Sequence, residues 1–114
     1  MSGNHSFEGI GQWSATFACD GVQAGQVVKI SGGGTVAPCA AGEDFCGVAL
    51  TAGRDGRACA VALGGMVTAA FTGTAPALGW TGLAADGRGG VQAADSGRKY
   101  LVADTDGETV TFVL

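Results

Sequence analysis

Residues 47–63, GVALTAGRDGRACAVAL, constrain the fold more than any other stretch. Two runs of small and β-branched residues flank Gly53-Arg54-Asp55-Gly56, the pattern of a β-hairpin. In the outgoing run Cys59, Val61 and Leu63 point one way and Ala58, Ala60 and Ala62 the other. Neither face is polar, so this strand is expected to be covered on both sides. A face carrying only methyl groups also lets a second backbone layer approach closely.

The rest of the chain reads as further short strands around this hairpin. Trp13 to Cys19 alternates, with Trp13, Ala15, Phe17 and Cys19 on one face, which predicts a strand with one buried side. Val27–Ile30, Thr35–Ala37, Met66–Phe71, Trp80–Ala85, Val91–Ala93, Tyr100–Ala103 and Glu108–Leu114 are the other strands. Glycine- and aspartate-rich turns separate them, and Gly64-Gly65 breaks or bulges the second hairpin strand. The segment from Pro38 to Asp44 reads as surface, with one helical turn expected at Ala40–Asp44. No long 3.6-residue period occurs, so helix is minor. The fold class expected is all-β: a small β-barrel, β-clip or tulip-like domain over residues 13–114, closed barrel and open sandwich both being compatible with the pattern. Residues 1–12 read as an N-terminal arm with Phe7 and Ile10 as isolated apolar points, either docking on a partner or forming a tail.

The two halves repeat a series of strand, gap, strand, Asp-Gly turn, strand. Val36, Gly47-Val48-Ala49, Asp55-Gly56 and Val61-Ala62-Leu63 form the first series. Val91, Leu101-Val102-Ala103, Asp106-Gly107 and Phe112-Val113-Leu114 form the second. A duplicated unit would make a pseudo-symmetric barrel or clip.

Composition sets how much such a domain can bury. The chain has 22 glycines and 20 alanines against two Ile, six Leu, five Phe, two Trp and one Tyr. Apolar burial contributes roughly 25 cal/mol per Å², and these small residues supply little area. The expectation is a domain that is marginal alone and gains stability from contacts between subunits. Net charge is −4. Nucleic acid is excluded as a partner because the six Lys and Arg are scattered and sit mostly at turns. No apolar run approaches the roughly 20 residues of a membrane span, so no membrane partner is expected. The first dozen residues have neither a basic start nor an apolar centre, so no secretory signal is read there and a cytoplasmic location is expected.

Chemistry has few places to reside. The single histidine, His5, lies in the arm, away from any partner that would make it a base. Asp20, Asp55, Asp86, Asp104 and Asp106 mostly neighbour glycine, where aspartate serves turn geometry. Asp104-x-Asp106-Gly107-Glu108 lacks calcium-loop spacing, and neither Gly32-Gly33-Gly34 nor Gly87-x-Gly89-Gly90 is a phosphate loop. Cys19, Cys39, Cys46 and Cys59 lack zinc spacing and read as buried thiols, a Cys39–Cys46 bridge staying open. No catalytic residue, metal or cofactor is therefore assigned. Trp13 and Trp80 read either as core anchors, the commoner role, or as contacts to a ligand or subunit. Phe7, Ile10, Trp13 and Trp80 are the candidate interface residues.

AGQVVKISGGGTV, CGVALTAGRDGRACAVALGGMV and KYLVADTDGETVTFVL, within residues 24–71 and 99–114, together resemble the small head-decoration (capsid-stabilising, cement) proteins of tailed phages and prophages. The four cysteines and the tryptophan-marked first strand depart from that pattern. The resemblance implies a compact barrel-like subunit, usually a trimer, at local threefold positions of an icosahedral shell. It implies the major capsid protein and further copies of the chain as partners. It also implies assembly in the host cytoplasm, then residence on the virion head, and an arm that adds to capsid sheets by strand pairing. A β-type binding module for carbohydrate or peptide, associated with a fibre, is the alternative, and it predicts Trp13 or Trp80 in the open. A thiol-dependent enzyme using Cys39 or Cys46 is a further rival and requires an exposed, acidic thiol.

Overall fold

The structure, a computed structural model, describes residues 13–52 and 57–114. Phe7 and Ile10, with the rest of the expected arm, lie outside the described residues, as does the Gly53-Arg54-Asp55-Gly56 turn. The described chain is all-β: β1 (Trp13–Cys19), β2 (Val27–Gly32), β3 (Thr35–Pro38), β4 (Gly47–Ala52), β5 (Ala58–Gly64), β6 (Met66–Ala70), β7 (Gly79–Ala85), β8 (Val91–Ala93), β9 (Arg98–Thr105) and β10 (Thr109–Val113). No helix occurs among the described residues. The helical turn expected at Ala40–Asp44 is instead a tight turn, in which the Glu43 N–H donates to the Ala40 carbonyl at 3.1 Å. Gly42 at φ +86° supplies its left-handed residue, a conformation that ends rather than propagates a helix.

β1 to β5 close into a mixed barrel in the order β1-β3-β2-β4-β5, and β6 to β10 form a second sheet in the order β6-β10-β9-β7-β8. The two orders are the same path. In each half the first strand runs antiparallel to the fifth and meets the third in parallel, and the second pairs antiparallel with both the third and the fourth. The fourth and fifth form the closing hairpin, each with a register shift. The parallel contact is Ala18 with Thr35 and Cys19 with Val36 in the first half, and the single bridge Phe71 with Val91 in the second. Gly90 permits the second contact, because a Cβ there would come within 2.9 Å of the Ala70 carbonyl carbon. The repeat legible in the sequence is thus a repeat of five strands.

The core has two parts. Cys19, Val22, Val28, Val36, Ala49, Cys59 and Val61 fill the first barrel. The larger part holds the inward residues of the second sheet, among them Leu83, Tyr100, Val102, Val110 and Phe112, together with Val27, Val48 and Ala62 from the outer face of the first barrel. Alternation along β2, β4 and β5 produces this division, since neighbouring residues enter different clusters. The strand expected to be covered on both faces is so only in its second half: Ala62 is buried, whereas Ala60 is half-buried and Ala58 exposed.

The β3–β4 connection ties the halves together. Its Gly42 N–H donates to the Ala85 carbonyl, and the Ala85 N–H donates to the Glu43 carbonyl, both at 2.9 Å. Lys29 on β2 donates to both carboxylate oxygens of Glu43 at 2.8 and 3.0 Å. The Pro38–Asp44 segment read as surface thus carries one buried side chain, Cys39, into the shared core, and Phe45, the next residue along, enters it too.

Candidate interaction surface

Neither tryptophan is a core anchor. Trp13 is 59% and Trp80 70% exposed. Trp13 leaves the inner face of β1 because the register shifts between Trp13 and Ser14, which places its indole over Gly64. Trp80 sits on the outer face of β7, where alternation turns Leu83 and Ala85 inward and Trp80 outward.

Trp80 belongs to a row. It lies directly opposite Leu101 on β9, Leu101 lies opposite Val113 on β10, and Val113 opposite Met66 on β6. All four point away from the core, since Val67, Tyr100, Val102 and Phe112 beside them point into it. The second sheet thus presents four apolar side chains in one line across four strands. Leu78, 66% exposed, lies two residues before Trp80. Lys99 and Asp104 on β9 lie on either side of Leu101 along that strand. Directly paired outward side chains stand about 5 Å apart, so the line is continuous. Of the two candidate interface residues that are described, Trp80 belongs to it and Trp13 lies on a strand of the other half. Met66, Leu101 and Val113 carry no composition signal of their own and become visible only through strand register.

The polar groups are occupied in building turns. One Asp86 oxygen accepts the N–H groups of Arg88 and Gly90 at 2.6 and 3.0 Å, and the other accepts the Thr72 hydroxyl at 2.7 Å. One Asp106 oxygen accepts the N–H groups of Glu108 and Thr109, both at 2.7 Å, and the other accepts the Thr109 hydroxyl at 2.9 Å. These bonds hold the Asp106 carboxyl below its ordinary range. An open groove of about 400 Å³ between β6 and the β7–β8 turn is lined by Gln23, Gln26, Thr68, Arg88 and Thr109, with a single charged side chain. Among the described residues no three His, Cys, Asp or Glu side chains gather where they could hold a metal, and no helix is long and apolar enough to cross a membrane.

None of the four cysteines is in a disulfide, Cys39 and Cys46 included. Burial pushes the Cys39 thiol up to about 11, with the Glu43 charge adding to it. Burial, then a hydrogen bond with Cys19, raises Cys59 to about 11. Cys46 also moves up through burial. These shifts run opposite to what a thiolate nucleophile needs.

No protein-family model and no curated protein sequence matches this chain. Its surface has to be read on its own chemistry. An outward apolar line with opposite charges beside it has the make-up of a protein contact, an apolar centre with a polar rim.

Proposed function

We propose that this chain is a structural, non-catalytic protein that decorates the head of a tailed phage or prophage. It acts as a homo-oligomer, three copies being the number the sequence resemblance implies, and holds neighbouring copies of the major capsid protein together. It assembles in the host cytoplasm and ends on the outer surface of the head. The observation that carries this reading is the outward Met66–Val113–Leu101–Trp80 line, in which Leu101 and Trp80 are exposed and Met66 and Val113 half-buried. The glycine- and alanine-rich composition supports it, since contacts between subunits add apolar burial that the chain supplies sparingly. A modest contact repeated over many symmetric sites gives a shell large collective resistance.

The test uses heads of a phage or prophage that encodes the chain, prepared with and without it. Added protein is expected to co-sediment with the depleted heads and raise their resistance to heat and osmotic shock. Heads that bind none of it and are equally robust without it would refute the proposal.

The binding-module alternative is favoured by one observation, the exposure of both tryptophans. Sugar recognition pairs an aromatic platform with convergent polar groups, whereas the partners of Trp80 across the strands are Leu101 and Val113. Titration with glycans or peptides, followed by tryptophan emission and repeated on Trp80→Ala, separates the two readings.

A further inference from the structure

The second sheet keeps one edge open beside the groove. β6 stands at the end of the strand order and pairs along its length only with β10. At the two ends of that ladder the Leu114 N–H donates to the Gly65 carbonyl at 2.9 Å and the Phe71 N–H to the Glu108 carbonyl at 3.1 Å. Opposite residues in an antiparallel pair are hydrogen-bonded at every second position. Val67 and Ala69 therefore turn their main chain to β10, and Thr68 and Ala70 turn theirs to the groove. Counted from the parallel contacts, the N–H in the first half that matches that of Ala70 is that of Ala18, which donates to the Gly34 carbonyl at 3.0 Å. The matching acceptor in the second half, the Gly89 carbonyl, takes the Val27 N–H at 2.8 Å instead. The Ala70 N–H and both main-chain groups of Thr68 consequently have no partner among the described residues. Exposed edges are commonly blunted by a charge, a proline or a bulge. β6, MVTAA, has none of these, and its ladder runs without a register shift.

We propose that the β6 edge is a strand-addition site for an extended segment of a partner protein that carries an acidic side chain. Carbonyls of the segment accept the Thr68 and Ala70 N–H groups, and one of its N–H groups donates to the Thr68 carbonyl, which is the main-chain part of the recognition. Arg88 selects the side chain. It is the one charged residue lining the groove, and its guanidinium has no ion-pair partner among the described residues. A carboxylate beside the added strand supplies that partner. Residues 23–26 and 88–90 wall the edge. The space of about 400 Å³ between those walls takes a short single strand and shuts out the edge of a second folded copy, which brings its neighbouring strands with it. The Thr68 and Ala70 side chains are small and exposed, and the Thr68 hydroxyl is already bonded to that of Thr111 at 2.9 Å, so neither obstructs the approach. The inference is independent of the phage reading, because it names only the chemistry of the segment.

The experiment pans a random heptapeptide display library against the full chain and measures synthetic copies of the selected peptides by calorimetry. The peptides are expected to contain Asp or Glu, and saturation with them to slow amide exchange at Thr68 and Ala70 while leaving Val67 and Ala69 unchanged. Ala70→Pro removes the groove-facing N–H and spares the β10 ladder, a replacement that an edge strand tolerates. It is expected to weaken binding about tenfold, roughly the worth of one main-chain hydrogen bond, and Arg88→Gln by a similar factor. Circular dichroism shows whether each variant is folded, and the exchange measurement on the wild type decides the matter if Ala70→Pro is not. A library that yields no binder, peptides that protect other amides, or affinities that both folded variants preserve would overturn the proposal. Selected peptides without an acidic residue overturn the assignment of Arg88. Self-association of the wild type that Ala70→Pro abolishes makes a second copy the occupant and overturns the partner segment.

Discussion

The ring of Phe45 stacks on that of Tyr100, with centroids 5.1 Å apart and planes 9° from parallel, although 55 positions separate the two in sequence. Phe112 meets both rings edge-on at 5.8 and 5.4 Å. Phe45 comes from the connection between β3 and β4 and the other two from the second sheet, so this trio fastens one half of the molecule to the other.

Truncation at Phe45 tests that role. Phe45→Ala empties a buried aromatic site and is expected to cost about 3–5 kcal/mol in denaturant unfolding. Tyr100→Phe keeps the stack and removes only the hydroxyl, whose bond to the Phe45 carbonyl is long at 3.4 Å, so its cost stays under about 1 kcal/mol. Equal losses for the two variants would mean that the hydroxyl rather than the stacking holds the loop.

The strands were legible because alternation and glycine turns are local signals, and the ten observed strands fall where the sequence places them, with boundaries shifted by a few residues at most. The repeat was legible in part. Val61-Ala62-Leu63 and Phe112-Val113-Leu114 do occupy matching positions, Ala62 opposite Val48 and Ser14, and Val113 opposite Leu101 and Met66. Gly47-Val48-Ala49 matches Tyr100-Leu101-Val102, one residue before the match read from sequence. A slip of one residue exchanges the two faces of a strand, so the match read from sequence places Val102 rather than Leu101 at the position of Val48. The tryptophans show a different limit. Alternation tells which residues share a face and not which face has cover, and the bulge that turns Trp13 outward has no signal in WSATFAC. Phe45 sits in a segment with no period at all, so only tertiary packing reveals its place.

Two glycines distinguish a rigid obstacle from a movable one. A Cβ on Gly47 would meet the Ala62 carbonyl and, at 2.8 Å, the Val61 side chain, both held in the closed barrel. Gly47→Ala is therefore expected to destabilise by about 1–3 kcal/mol. A Cβ on Gly64 would meet the Trp13 ring, whose Cδ1 lies 2.7 Å away, but that side chain is exposed and free to swing aside. Gly64→Ala should change stability by less than about 1 kcal/mol, the strand preference of Ala over Gly offsetting the displacement. In a Trp80→Phe background it should shift the emission of Trp13. Comparable losses at the two positions would show the Trp13 indole to be fixed.

Acid should weaken the fold through turn and loop carboxylates. Asp106 and Glu43 are held below their ordinary values of 3.8 and 4.5, Asp106 by the Glu108 and Thr109 N–H groups and Glu43 by Lys29 and the Ala40 N–H. Between the folded and unfolded values the unfolded chain binds more protons, so stability rises with pH across that interval. The contribution is complete above the ordinary values and is lost as pH falls through the depressed ones. Asp106→Asn keeps an acceptor for the two N–H groups and removes the titration, so its stability should fall less steeply below pH 3.8 than that of the wild type. Identical slopes in acid unfolding would exclude Asp106 as a contributor.

Thiol reactivity follows from the same logic with opposite sign. A thiol raised from 9.0 to about 11, as at Cys39 and Cys59, holds about a hundredfold less thiolate at neutral pH than an unperturbed one. Burial of Cys19, Cys39 and Cys59 adds a steric barrier, while Cys46 is only half-buried. In iodoacetamide labelling at neutral pH the native protein should react slowly, with Cys46 first and the other three only after denaturation. Labelling of Cys39 in the native state faster than free cysteine would reverse the argument. It would place an activated nucleophile beside Lys29 and reopen the thiol-enzyme reading, because a cationic neighbour would then be overcoming the burial that now dominates at that sulfur.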